Sequence, residues 1–186
     1  DHTHRFKEFE CTYENLKKYP QQKEWLENKK MKFHSTLEEY QNVINEVKKL
    51  DLPIKVKFGL EVCYVPEHED TLRNILKDTS FDFLVGAIHS IDDILYDMSF
   101  SKELLWDVYD TDHIYKRYYD LVFQLVKSNL FTQLAHPDTI KMFNYYPSYD
   151  LNDTYIELAK LLNHYHMKAE NNVGCYYRYH HSDMGL

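Results

Sequence analysis

Residues 54–63 read Ile-Lys-Val-Lys-Phe-Gly-Leu-Glu-Val-Cys, so that apolar side chains occupy every second position. This period of two predicts a β-strand, because successive side chains of a strand point to opposite faces. Glu61 then lies on the face opposite the apolar side chains, together with Cys63. Because a buried carboxylate needs a partner to offset its desolvation, Glu61 is a candidate functional residue.

Helices and strands alternate along the chain on either side of this strand. On its N-terminal side, Ser35 and Glu38 form a capping-box pattern that predicts a helix over residues 35–50. The later patterns predict a helix over 69–78, a strand over 81–88, a helix over 112–128, a strand over 130–135, a helix capped by Asn152 and a brief strand over 167–169. Such alternation implies parallel strands with helical crossovers, hence an α/β barrel or a doubly wound sheet.

The predicted strands end in residues of metal-ligand or acid type, and these are Glu61, His89, His136 and Glu170. In a parallel barrel the C-terminal ends of the strands meet at one rim, so these side chains should converge. One strand-end histidine is more often a hydrogen-bonded structural residue than a ligand. A carboxylate and two imidazoles at successive strand ends instead favour a metal site, with a donor set that suits zinc, manganese or iron. A bridging carboxylate can hold two such ions.

The composition limits the kind of partner. The 186 residues carry a formal net charge of -8, which argues against nucleic-acid binding because that requires a basic face. A small-molecule substrate is favoured, since metal ions can reverse the field locally and let an acidic protein bind a phosphate ester.

The sequence shows no apolar run of spanning length and no signal-peptide pattern at its start, which predicts a cytoplasmic protein without membrane attachment. The 3 widely spaced cysteines fit reduced thiols.

Four segments carry motifs beyond their periodicity. They are Phe-Gly-Leu-Glu at 58–61, Val-Gly-Ala-Ile-His at 85–89, Leu-Ala-His-Pro-Asp-Thr-Ile-Lys at 134–141, and Glu170 with Asn172 and Gly174. The first resembles the strand that supplies the bridging glutamate in the polymerase and histidinol phosphatase (PHP) family, and the second resembles that family's next ligand strand. The third and fourth are similar to segments of the histidinol-phosphatase branch.

This resemblance implies a fold, a set of cofactors and a set of site residues. The implied fold is a distorted TIM-like (β/α)7 barrel of the PHP type, incomplete in this sequence, with residues 1–186 forming a single PHP phosphoesterase domain. The implied cofactors are two or three divalent metal ions in the complete protein, either zinc, manganese or iron. The implied metal ligands are His2, Glu61, His89 and His136, with Glu61 and His136 also catalytic, and the implied substrate-binding residues are Arg178, Glu170, Asn172 and Arg5.

The first residues align with the family in two ways. Residues 2–4, His-Thr-His, resemble its first H-x-H pair, whereas Asp1-His2 resembles its later D-H motif with another ligand histidine. The second alignment is favoured because an aspartate precedes His2 and the distance to Glu61 is short for the first pair. His4 is then a loop residue and not a ligand. Under this alignment the H-x-H pair and the terminal D-x-H motif are absent, and residues 180–183 do not reproduce the latter, so that both barrel ends look clipped.

The activity implied by the resemblance is hydrolysis of a phosphate monoester. The expected substrate is L-histidinol phosphate, which a histidinol-phosphatase converts to L-histidinol and phosphate in histidine biosynthesis. Two alternatives stay open: a PHP phosphatase that acts on another phosphomonoester or a nucleotide, and a noncatalytic PHP-like module that binds metal or phosphate.

Overall fold

A parallel sheet organises the chain. The computed structural model describes residues 1–27, 32–174 and 177. Its strands are β1 Gly59–Cys63, β2 Phe83–Ala87, β3 Ser90–Ile91, β4 Ile94–Leu95, β5 Gln133–Leu134 and β6 Lys168–Ala169. The main sheet has the order β1-β2-β5-β6 with parallel neighbours throughout, while β3 and β4 form a separate antiparallel hairpin. The predicted parallel arrangement is confirmed.

Helices connect the strands of this sheet. The α-helices are α1 Pro20–Glu27, α2 Leu37–Lys48, α3 Glu69–Leu76, α4 Thr111–Lys127 and α5 Asn152–His164. In chain order α3 connects β1 to β2, α4 lies between β2 and β5, and α5 connects β5 to β6, as the alternation predicted. Short 3-10 helices cover Thr3–Arg5, Lys7–Lys18, Pro66–His68 and Thr139–Phe143, and a π-helix covers Lys102–Trp106.

The capping box of α2 lies one residue later than predicted. The Glu39 backbone N–H donates to Thr36 Oγ1 at 3.1 Å, and the Thr36 N–H donates to Glu39 Oε2 at 2.7 Å. Ser35, the predicted cap, instead pairs with Phe6 in a parallel bridge. The backbone of Ser35 therefore contacts a residue far away in the sequence, and a local sequence pattern cannot predict such a contact.

The alternating segment that predicted a strand from residue 54 enters the sheet only at Gly59. Ile54 is 70% exposed, and the Phe58 N–H donates to the side chain of Asp82 at 2.8 Å. Among the described residues no strand pairs with residues 54–58, so this alternating segment has no neighbouring strand with which to form hydrogen bonds. A strand needs a neighbour for its backbone groups as well as an alternating sequence.

The cap of α5 also differs from the prediction. Asn152 is the first residue of the helix and not its cap. The N-cap position is Leu151, which has no side-chain oxygen, and the Asn152 N–H instead donates to Asp150 Oδ1 at 2.8 Å.

Tyrosines of α4 form much of the core that this helix shares with α5 and with the segment from Tyr96 to Trp106. Tyr115, Tyr118 and Tyr119 are buried, and the ring of Tyr118 packs edge-on against Tyr96 with centroids 5.3 Å apart. Their hydroxyl groups have partners: Tyr115 donates to the carbonyl of Tyr145 at 2.7 Å, and Tyr119 to that of Pro137 at 3.3 Å. The buried rings supply apolar area while each polar tip is satisfied.

None of the helices in the described ranges combines the length and the apolar character needed to cross a lipid bilayer.

Candidate metal centre

Three side chains of metal-ligand type meet at the C-terminal edge of the sheet. Glu61 lies within β1, and His89 and His136 each lie two residues beyond the end of β2 and β5. Because these strands are parallel neighbours, they point their ends to the same side. One ligand atom from each of the three residues lies within 4.8 Å of those of the other two.

The carboxylate of Glu61 is at the centre of this group. Its Oε1 lies 3.1 Å from His89 Nε2, 3.3 Å from His2 Nδ1 and 3.7 Å from His136 Nε2. The rings of His89 and His136 are 5.2 Å apart. The side chain of Glu61 is 22% exposed, so the imidazoles replace much of the water that would otherwise solvate its charge.

His2 reaches the same carboxylate from a different element. A parallel bridge joins His2 to Glu61, and the Glu61 N–H donates to the carbonyl of Asp1 at 2.7 Å. The first residues therefore extend the sheet beside β1. The side chain of His2 is 54% exposed and contacts Glu61, but it does not belong to the compact group of three.

Charge pairing determines the protonation of the group. Burial raises the pKa of the Glu61 carboxyl, but the interactions with His136, His2 and His89 outweigh it and hold that pKa well below its usual range. Burial likewise lowers the pKa of His89, yet hydrogen bonds to Asp97 and Glu61 leave it well above its usual value. A metal ion competes with protons for the same donors, and the carboxylate charge that favours a protonated His89 also favours a bound cation.

The residues present fit a divalent metal ion. Nδ1 of His136 is buried and has no hydrogen-bond partner among the described residues, which costs about 1–3 kcal/mol unless a ligand satisfies it. Metal–nitrogen bonds of about 2.0–2.1 Å allow donors with this spacing to surround one ion. One carboxylate and two imidazoles are also a donor set that zinc, manganese and iron share. The group of Glu61, His89 and His136 could therefore hold a metal ion.

His136 is held in an unusual backbone conformation. Its φ is 24°, in the left-handed region that non-glycine residues seldom occupy. The carboxylate of Glu170 accepts a hydrogen bond from the His136 N–H at 3.0 Å, which ties the loop after β5 to the end of β6. Glu170, predicted to bind substrate, thus contacts the backbone of a candidate ligand. A cavity of about 310 Å³ lies beside it, lined in part by Pro137, Asp138 and Tyr155.

The other predicted site residues are more scattered. The guanidinium of Arg5 pairs with Asp1 at 3.2 Å, and its side chain is 44% exposed at the end of the short 3-10 turn that follows His2. Asn172 is partly buried beyond the end of β6. Arg178 and residues 180–183 lie outside the described residues.

His4 is a packing residue of the turn that holds His2. Its ring stacks on that of His2 with centroids 5.4 Å apart and meets Trp25 edge-on at 6.4 Å. Burial, aided by the charge of His2, lowers the pKa of His4 to about 4. The remaining predicted non-ligands in the described ranges are exposed or partly buried at other positions: His34, His68, His113, His164 and His166.

The sequence patterns missed Asp97, whose Oδ2 lies 2.9 Å from His89 Nδ1. A usable signal was present in the pair Asp92-Asp93, which is flanked by isoleucines and is typical of a two-residue hairpin turn. A hairpin directly after a strand-end histidine returns the chain to that histidine.

The fold and the site define a class, an α/β protein with candidate metal ligands at the C-terminal edge of a parallel sheet. The profile of the PHP domain matches residues 6–173, and the chain belongs to this family. Its fold is accordingly the TIM-like barrel of the PHP type, of which the described residues form an open, four-stranded part.

One solved structure similar to the chain is histidinol phosphate phosphatase (HisK) from Lactococcus lactis subsp. lactis Il1403, complexed with zinc, L-histidinol and phosphate. The TM-score is 0.62 at 20% sequence identity, over 76% of this chain and 55% of that chain. The chain thus spans about half the length of HisK, and at this identity the likeness supports the fold. A search of curated proteins finds no significant match.

Proposed function

We propose that this chain, as a single domain over residues 1–186, is a metal-dependent phosphomonoester hydrolase, and that its substrate is L-histidinol phosphate. The products are then L-histidinol and phosphate, in histidine biosynthesis. The observation that carries the proposal is the convergence of Glu61, His89 and His136 at one edge of the sheet in a member of the PHP family. The substrate is supported by the motifs of the histidinol-phosphatase branch and by the ligands of the similar HisK structure.

The proposed metal ligands are His2, Glu61, His89 and His136. Bound zinc, manganese or iron ions, two or three in the complete protein, would polarise the phosphoryl group and activate water near neutral pH. Glu61 is suited to bridge two ions because its low pKa keeps the carboxylate ionised. His136, with its unpaired buried nitrogen, is the second residue that we assign to catalysis.

Other residues are proposed to orient the substrate. Arg5 is exposed enough to leave Asp1 and donate to phosphate oxygens, for which a guanidinium is a geometrically matched donor. Glu170 would accept a hydrogen bond from an N–H group of the histidinol part of the substrate, whose alcohol oxygen is esterified to the phosphate. Asn172 is proposed to contact the same part of the substrate. The cavity next to Glu170 offers about 310 Å³ for this part of the molecule. Arg178 is proposed to bind the substrate phosphate, on the basis of the sequence resemblance alone.

Elemental analysis followed by a phosphate-release screen tests the proposal. The screen compares L-histidinol phosphate, a nucleoside monophosphate and a generic aryl phosphate, each with and without a chelator. We expect bound divalent metal and chelator-sensitive turnover with the highest kcat/KM for L-histidinol phosphate. A higher kcat/KM for the nucleoside monophosphate would show that the nucleotide is the preferred substrate, while the proposed reaction, hydrolysis of a phosphomonoester, would stand. Bound metal without any turnover by the full-length protein would refute the proposal and favour a noncatalytic module.

A further inference from the structure

The ring of His89 is held at both of its nitrogens. Nε2 faces Glu61 Oε1 at 3.1 Å, and Nδ1 faces Asp97 Oδ2 at 2.9 Å. The side chain of Asp97 is 17% exposed, and within the described ranges His89 is its ion-pair partner, with no lysine or arginine competing for it. The carboxylate of Asp97 is therefore directed at a candidate ligand from the side opposite the cluster.

The position of Asp97 is determined by its neighbours in the chain. Tyr96, the preceding residue, is fully buried, and its N–H donates to the carbonyl of His89 at 3.2 Å. The Tyr96 hydroxyl donates to the carbonyl of Ile88 at 3.0 Å, and Trp106 Nε1 donates to the carbonyl of Tyr96 at 3.0 Å. These contacts fix the backbone next to Asp97 without any help from a bound ion.

The β3–β4 hairpin brings this segment back to His89. Its turn residues Asp92 and Asp93 have φ values of 48° and 67°, the left-handed conformation that a tight two-residue hairpin turn requires. Gln22, a fully buried residue of α1, braces the hairpin: its Nε2 donates to the carbonyl of Asp93 at 2.9 Å, and its Oε1 accepts from the Leu95 N–H at 2.7 Å. A buried amide thus holds the hairpin that carries Asp97.

We propose that Asp97 is a positioning residue of the metal site: its carboxylate accepts a hydrogen bond from His89 Nδ1–H and so keeps Nε2 directed at Glu61 as the ligand atom. The inference rests on the proposed function, since it concerns the same site. A carboxylate behind a ligating histidine fixes the tautomer and the ring orientation and makes the imidazole a stronger donor. Loss of such a partner lowers metal affinity by about 10–100-fold.

The test measures the dissociation constant of Zn²⁺ for the full-length protein by competition with a chromophoric chelator. The variants are Asp97→Ala, which removes the acceptor, and Asp97→Asn, which keeps an acceptor oxygen without the charge. Asp92→Asn is the matched control, because asparagine tolerates the left-handed conformation of this turn position. The Asp92 carboxylate pairs with Arg117 at 2.8 Å and does not contact the site. Urea unfolding of the metal-free variants separates a structural effect from a positioning effect.

We expect the dissociation constant of Asp97→Ala to rise by about 10–100-fold, with a smaller rise for Asp97→Asn and none for Asp92→Asn. In a His89→Ala background the Asp97→Ala change should produce no further loss, because the carboxylate would act only through that ring. Unchanged affinity in Asp97→Ala, or an additive loss in the double variant, would overturn the inference while leaving the metal site intact. If Asp97→Ala fails to fold, the Asp97→Asn variant tests the inference instead. Wild-type affinity of Asp97→Asn for Zn²⁺ would then overturn the inference. A wild-type protein that binds no metal would instead refute the proposed function and this inference with it.

Discussion

The substitution Glu61→Gln is the most direct test of the candidate metal site, because it should affect the site far more than the fold. Glutamine keeps the volume of the side chain and one acceptor oxygen but removes the negative charge. Two close charge-assisted contacts are at stake, to His89 at 3.1 Å and to His2 at 3.3 Å. Hydrogen bonds to charged groups contribute about 1.5–3 kcal/mol each, and partial solvent exposure favours the low end, so about 3 kcal/mol is lost in total.

This loss concerns the stability of the metal-free protein. For metal affinity we expect a fall of at least about 10–100-fold, the effect of removing a partner behind a ligand, because Glu61 would itself be a ligand. We expect kcat/KM for L-histidinol phosphate to fall by at least the same factor, while the far-UV circular dichroism stays close to that of the wild type. The matched control is Glu46→Gln on the exposed face of α2, where the carboxylate pairs with Lys49. Glu61→Gln protein that retains wild-type metal content and activity would refute the bridging role of this residue.

Three further predictions concern the scaffold and its dependence on pH. His164→Ala should leave metal content and phosphate release unchanged, because this exposed residue at the end of α5 lies outside the site; a tenfold loss of activity would contradict the assignment. His4 is neutral in the folded state down to about pH 4 but titrates near 6.5 when unfolded, so the unfolded state binds more protons between these values and stability falls as the pH drops through them. His4→Gln should therefore show a shallower loss of urea-unfolding stability from pH 7 to pH 5 than the wild type; equal slopes would argue against the lowered pKa. Gly86→Ala should destabilise the protein by about 1–3 kcal/mol in urea, because its new methyl group would lie 2.5 Å from the Phe131 ring; an unchanged midpoint would show that the ring moves without cost.

Much of the fold follows from local sequence patterns. The stripe of apolar residues in α4 and the alternation around Glu61 each predicted an element of the correct type, because a helix and a strand impose different periods on their buried faces. The boundaries were less accurate. Residues 54–58 alternate as well as Gly59–Cys63 do, but only the latter have a partner strand, in β2. Ser35 has the sequence pattern of a helix cap, but its backbone pairs with Phe6, and Thr36 is the residue that caps α2.

For the site, the sequence by itself determined which residues stand within β1 and just after β2 and β5, and parallel pairing then brings Glu61, His89 and His136 together. Tertiary structure decided what surrounds them. The bond from the His136 N–H to Glu170 and the contact of His89 with Asp97 depend on how loops return to the sheet. The physical reason is that strand direction is a property of each segment and its crossover, whereas the partner of a side chain depends on packing between segments far apart in sequence.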